Sequence, residues 1–258
     1  MKQPLAYVHP AAKIASNVVI DPFVTIDGDV EIGEGTRIMS NVTILDGARI
    51  GKNCTIFPGA VISAIPQDLK FRGEKTVAIV GDNTTLRECV TVNRGTASKG
   101  KTIVGSNCLI MAYSHVAHDC VIGDNVIMSN ATQVAGEVSI DNCAVIGGGA
   151  LIHQFCHIGA YVMVQGGALV NKDIPPFVKA GRDPIAYAGV NSIGLRRHNF
   201  TNEQIREIQE IYRYLYLSGL NNSDALERIE AELPASKERD EIVLFVKDSK
   251  RGILRGYM

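Results

Sequence analysis

The chain repeats itself every six residues, and that period leaves few folds open to it. Stepping by six from Val8 gives Ile14, Ile20, Ile26, Ile32, Ile38, Ile44, Ile50, Ile56 and Ile62. The register resumes at Val80, Leu86 and Val92, and returns at Val104 to run through Ile110, Val116, Ile122, Met128, Val134, Ile140, Ile146, Ile152, Ile158, Val164 and Val170. Neither a helix of 3.6 residues per turn nor a two-residue strand alternation has this period. A short strand followed by a turn does, with one large aliphatic side chain aimed inward per flat face. The position four later is small or β-branched: Val18, Val24, Val30, Thr36, Val42, Ala48, Cys54 and Ala60. Cys108, Cys120 and Cys156 fall in the same slot and read as small buried hydrophobes. Three such faces close into a triangular coil of 18 residues, with rungs about 4.8 Å apart.

The composition suits such a core. Of 258 residues, 46% are apolar, and the formal net charge of −1 argues against a general nucleic-acid binder. The six cysteines include no C-x-x-C pair. The opening "MKQPLAYVHPAAK" has no apolar leader core, and no run reaches the 18 apolar residues of a membrane span. The expectation is a reduced, cytoplasmic protein with no membrane span.

Two stretches interrupt the register, residues 64–78 ("AIPQDLKFRGEKTVA") and 94–103 ("RGTASKGKTI"). Insertions in a solenoid become loops on one side, often the binding side. The first carries Asp68, Lys70 and Arg72. The repeat stops at "DIPPF", residues 173–177, and the pattern then turns helical. "TNEQ" reads as a capping box from Thr201 to Gln204. Ile205, Ile208, Tyr212 and Leu215 follow at helical spacing, and Gly219 ends the segment. Further helices are expected over 223–233 and 238–249. The chain divides into a coil of residues 1–190 and a helical segment of 191–258.

On an 18-residue rung, residues 18 apart stack. His118, Gly136 and Gln154 therefore form one column, with His153 beside Gln154. A base, a glycine and an amide in one column look like a site, because glycine leaves room for a ligand and an N–H for an oxyanion. Three readings compete for "MAYSHVAHDCVIGD", residues 111–124. The histidines could be inert surface residues. His115 and His118 could be two zinc ligands, as in the γ-class carbonic anhydrases, although the next rung reads "QVAG" where a third histidine belongs. Or His118 could be a general base, its imidazole neutral near pH 7.

Taken together, "HVAHDCVIGD", "QDLKF", "AGEVSID", "HQFCHIGA", "GVNSIGLRR" and a terminal "RGIL" resemble the UDP-N-acetylglucosamine O-acyltransferase family, which opens lipid A synthesis. The resemblance covers essentially the whole chain and extends to the hexapeptide-repeat transferases at large. It implies a left-handed parallel β-helix with a small helical C-terminus. The left hand comes from the resemblance alone, because parallel crossovers are generally right-handed. It also implies an (R)-3-hydroxyacyl chain delivered by acyl carrier protein, the 3-hydroxyl of UDP-N-acetylglucosamine as acceptor, no cofactor, no metal and a homotrimer. Residue by residue, it implies His118 as the base, Asp119 as its orienting partner and the Gly136 N–H as the oxyanion donor. Neighbours on an extended strand point apart, so the His118–Asp119 contact requires a corner. His115, His153 and Gln154 would hold sugar and diphosphate, and Asp68 and Lys70 would line the cleft. Asn191 and Arg197 would reach the nucleotide of a neighbouring subunit.

The chain departs from the family at Asn93 and Glu137, where histidine is common, and at Ile193, where an acidic residue is common. Glu137 could suit an amino group, which would give a 3-amino-sugar N-acyltransferase. The rival N-acyltransferases of the same pathway carry a large N-terminal uridine-binding domain, for which a repeat beginning at Val8 leaves no room. Acetyltransferases of serine or sugars usually place their helices before the coil. Arg196, Arg197, Lys247, Lys250, Arg251 and Arg255 make the C-terminal region locally basic despite the overall charge, which fits an acidic carrier protein. Gly166, Gly148, Asn130 and Ala112 form a second, small-sided column. The resemblance makes Gly148 and Gly166 the ruler of acyl-chain length.

Overall fold

The computed structural model describes residues 4–256. Through the repeat the chain forms mostly two-residue strands, such as Tyr7–Val8, Lys13–Ile14 and Val19–Ile20, separated by turns. Such strands are held by their neighbours one rung away, with which they pair in parallel. Three sheets result. The first face holds Tyr7–Val8, His115–Val116 and Leu169–Val170. The second holds Lys13–Ile14, Val121–Ile122 and His157–Ile158, and the third Val19–Ile20, Ile127–Met128 and Met163–Val164. Successive strands belong to successive faces, and the chain winds as a left-handed parallel β-helix.

Register follows the aliphatic residues. On the first face Val116 pairs with Val134, Val134 with Ile152, and Ile152 with Val170. From Ile20 onward the inward position is almost sealed: Ile26, Ile38, Ile44, Ile56, Ile62, Leu86, Ile110 and Met128 are completely buried. Each such burial stabilises the fold by about 1.5–3 kcal/mol. The small slot is buried too, and Cys54, Cys108, Cys120 and Cys156 sit in it as free thiols.

The corners need backbone that most L-residues avoid. Between the second and third faces, Asn53, Asn83, Asn107 and Asn125 take positive φ, which asparagine tolerates. Between the first and second faces the same conformation falls on Asp119, Glu137 and Phe155. Both insertions leave the coil at this edge, after strands Val61–Ala64 and Thr91–Asn93 of the first face. Across them the pairing offset widens: Val61 pairs with Thr91, and Thr91 with His115.

The coil ends on a strand the repeat did not announce. Val178–Gly181 pairs in parallel with Met163–Val164 and then antiparallel with Ala186–Val190. Helix α1, Ser192–Arg197, follows, although the capping signal predicts no helix before residue 201. Its signal was Asn191, whose side chain accepts from the Gly194 N–H as an N-cap. Helix α2, Asn202–Leu217, opens on the expected capping box and buries Ile205, Ile208, Tyr212 and Leu215. Helices α3, Asn222–Glu232, and α4, Lys237–Asp248, lie within one residue of the expected ranges. Tyr212 donates to the Pro176 carbonyl at 2.5 Å, and Phe245 packs on His157 at 4.5 Å between ring centres. One apolar core thus runs from the coil into the helices. Among the described residues, no helix is long and apolar enough to cross a membrane.

Candidate active site

A groove of about 600 Å³ lies on the first face and at its corner with the second. The predicted column forms its wall: His118, Gly136 and Gln154 all line it, with His115 and His153. The stacking is direct, since the Glu137 N–H donates to the His118 carbonyl and the Phe155 N–H to that of Gly136.

The corner brings His118 and Asp119 together. With φ at +60°, Asp119 turns back, and its Oδ2 lies 2.9 Å from His118 Nδ1. Asp119 is fully buried. It accepts from the Thr96 N–H at 3.0 Å, from the Thr96 hydroxyl at 2.5 Å and from the Lys99 N–H at 3.2 Å. Burial works against the charge, but donors from Thr96, His118 and Lys99 together hold the carboxyl below its usual value. A carboxylate on Nδ1 leaves the Nε2 lone pair of neutral His118 for the groove. A Cβ built on Gly136 would stand 2.6 Å from that Nε2, so any larger residue would push the imidazole out of this position. The Gly136 N–H has no partner among the described residues.

The other polar groups are also oriented. His115 Nδ1 is 2.7 Å from the Thr91 hydroxyl. Burial, reinforced by His118, pushes the His115 pKa down, so its ring is neutral at pH 7. His153 Nδ1 lies 3.0 Å from the Gln154 carbonyl, which can only accept, so this nitrogen carries the proton. Asn93 is buried in the groove wall; its amide donates to the Ile65 carbonyl, and its Oδ1 has no partner among the described residues. Among the described residues there is no group of three His, Cys, Asp or Glu side chains that could hold a metal.

Several expected residues lie elsewhere in the single chain. From the first loop it is Gln67 that lines the groove. Asp68 accepts from the Lys70 N–H in a local turn, whose Leu69 is 96% exposed. Asn191 caps α1 and donates to the Tyr161 carbonyl, while Arg197 ends that helix in the open. Gly148 and Gly166 stack as expected, but at the corner between the third and first faces. Gly166 lines a neighbouring pocket that shares Leu169 and Asn171 with the groove. Of the departures, Glu137 accepts from the Ser98 hydroxyl, and Ile193 is exposed on α1. Sequence reasoning missed Gln67, Thr91 and Thr96. Gln67 stood inside "QDLKF", whereas the two threonines contact residues 24 and 23 positions away, across a loop.

Comparison with known proteins adds independent observations. Residues 173–254 match the family model "Udp N-acetylglucosamine O-acyltransferase; Domain 2", and residues 101–136 match that of the bacterial transferase hexapeptide. The N-terminal 2–106 match the model of the GMPPB C-terminal domain. The chain is 42% identical over 257 residues to the acyl-[acyl-carrier-protein]–UDP-N-acetylglucosamine O-acyltransferase of Janthinobacterium sp., covering 98% of each chain. The protein of the same name from Alkalilimnicola ehrlichii is 44% identical over 253 residues, again covering 98% of each. Among solved structures, the UDP-N-acetylglucosamine acyltransferase of Bacteroides fragilis superposes with a TM-score of 0.97 at 58% identity, covering 99% of this chain and 100% of the other. That of Francisella novicida gives 0.96 at 40%, covering 99% and 94%.

The donors around Asp119 link stability to pH. A depressed folded pKa contributes stability that is complete above the unfolded value, about 3.9, and is lost as pH falls through the lower folded value. The unfolding free energy of wild type minus that of Asp119→Asn should therefore be largest near neutrality and shrink in acid below that value. Urea melts at stepped pH measure it; a difference flat with pH would show that Asp119 is not held ionised.

Proposed function

We infer the chemistry of this groove from a plain premise: the chain belongs to the UDP-N-acetylglucosamine O-acyltransferase family. It is an acyltransferase that moves an (R)-3-hydroxyacyl chain from acyl carrier protein to the 3-hydroxyl of UDP-N-acetylglucosamine, the first step of lipid A biosynthesis. The observation that carries the mechanism is His118 Nε2 set over Gly136, with Nδ1 on Asp119.

In the proposed reaction His118 Nε2 takes the proton of the sugar 3-hydroxyl as that oxygen attacks the thioester carbonyl. The carbonyl oxygen gains the charge and takes a hydrogen bond from the Gly136 N–H. Asp119 steadies the imidazolium. When the tetrahedral intermediate collapses, the carbon–sulfur bond breaks, and His118 returns the proton to the departing carrier thiolate, which leaves as the thiol. His115, His153, Gln154 and the Asn93 carbonyl offer the sugar and diphosphate their polar contacts. A second reading, a 3-amino acceptor, is favoured by the Glu137 carboxylate next to Gly136. The coil, residues 1–190, supplies the site, and the local basic groups Arg196, Arg197, Lys247, Lys250, Arg251 and Arg255 of segment 191–258 receive the acidic carrier in the cytoplasm.

Asp68, Lys70, Asn191 and Arg197 do not reach the groove of their own chain. Leu151 and Leu169 leave apolar surface on the first face, 47% and 62% exposed. Both facts support a homotrimer in which neighbouring chains close each groove and bring these residues to it. The acyl chain then leaves the groove past Leu169 toward Gly166 and Gly148.

Four outcomes test this. His118→Ala should lower kcat by about 10²–10⁴ without unfolding the coil. Product masses from both acceptor sugars would identify the accepting atom, and activity within a few-fold of wild type would remove His118 from its role. Light scattering should give three chain masses; a fully active monomer would be incompatible with shared grooves. Gly166→Met should shift preference toward donors about four carbons shorter, since one rung of roughly 4.8 Å spans about four methylenes. An unchanged preference in a mixed-donor competition would place the acyl chain elsewhere.

A further inference from the structure

The second insertion, residues 94–103, carries no group that lines the groove, yet it is tied down beside it by several hydrogen bonds. The Arg94 N–H donates to the Ala64 carbonyl, and the Gly95 N–H to that of Val77. The Thr76 hydroxyl donates to the Gly95 carbonyl at 2.6 Å, and the Gly100 N–H closes on the Thr96 carbonyl at 2.8 Å. A Cβ on Gly95 would stand 2.2 Å from the Lys101 nitrogen, so the two limbs approach as only glycine permits.

What this loop encloses is Asp119. Its Oδ1 accepts from the Thr96 and Lys99 N–H groups, and its Oδ2 from the Thr96 hydroxyl and N–H. Lys99 Nζ donates to the Asp119 carbonyl, and the Asp119 N–H donates to the Thr102 hydroxyl. Ser98 reaches the next corner and donates to Glu137, beside Gly136. Within the described residues, the remaining side-chain partner of the Asp119 carboxylate is His118.

We propose that the 94–103 loop is the positioning element of the catalytic pair, and that Thr96 fixes which nitrogen of His118 is basic. The argument is one of satisfaction. A buried carboxyl group with an imidazole as its sole partner would lower its energy by taking a proton. As an acid it would donate to Nδ1, and Nε2 would then carry the hydrogen and be unable to accept one from substrate. Three donors from Thr96 and Lys99 saturate the other lone pairs, so the carboxylate can only accept. His118 must then present Nδ1–H to it, with the Nε2 lone pair toward the groove. Thr96 acts through Asp119 and touches no substrate.

This inference rests on the reading of His118 as base, and the test separates the two. Steady-state kinetics of the full-length enzyme, with UDP-N-acetylglucosamine and an (R)-3-hydroxyacyl carrier, are compared for Thr96→Val, Thr96→Ser, Asp119→Asn and the Val/Asn double variant. Thr96→Val should lower kcat on the order of tenfold, the lower end for loss of an outer partner of a functional histidine, with KM little changed. Thr96→Ser should restore it. In the Asp119→Asn background Thr96→Val should cost little more, because an amide no longer holds Nδ1–H of His118, whatever Thr96 does. Should the valine variant not fold, Thr96→Ala takes its place in the cycle. A full additive loss in the double variant, a loss confined to KM, or a serine variant as poor as valine would overturn the proposal. His118→Ala, assayed alongside, reports on the base itself: activity there removes the base, whereas dependence on His118 with indifference to Thr96 removes only the role of the loop.

Discussion

Everything in this molecule depends on one contact repeated: an inward aliphatic side chain resting on its counterpart one rung away. The pairs Ile110–Met128, Met128–Ile146 and Ile146–Val164 show it on the third face, in register with the backbone pairing. A two-residue strand has too few hydrogen bonds to persist alone. Stacked in this way, each strand is fixed by two neighbours and by the apolar layer beneath it. The corners take whatever backbone the faces require, including positive φ on residues that do not favour it.

The site follows from that arrangement. Because faces are held rigid, a corner residue has one direction in which to point, and residues a rung apart point in parallel. His118 is thereby set over Gly136 without any helix or long strand to carry it. The cost of a positive φ at Asp119 is met by its hydrogen bonds, and the turn it makes lets two adjacent side chains touch. A scaffold of local contacts places its chemistry by counting residues, and the loops then add what counting cannot supply.

That distinction explains what could be read from the sequence. The period of six fixed the coil, the inward residues and the His118–Gly136–Gln154 column, because all three depend on spacing alone. The capping box at Thr201 and the stripe through Tyr212 fixed the second helix for the same reason. Helix α1 escaped notice because six residues carry too little pattern, with Gly194 in their midst. Gln67, Thr91 and Thr96 escaped because their neighbours are set by how loops fold back. Asp68, Lys70, Asn191 and Arg197 came from the family resemblance, and a single chain leaves all four outside its own groove.

The small slot has a chemical consequence as well as a packing one. Cys120 follows Asp119 directly, a thiol next to the proposed site of transfer from an acyl thioester. A thiolate there would exchange with the carrier thioester and strand the acyl group on the wrong sulfur. Its side chain points into the coil, completely buried, with Sγ donating to the Ala135 carbonyl at 3.0 Å. Burial pushes the thiol up to about 12, so at neutral pH almost none is ionised. The fit that closes the triangular core also keeps a competing nucleophile silent, one residue from the proposed catalytic pair.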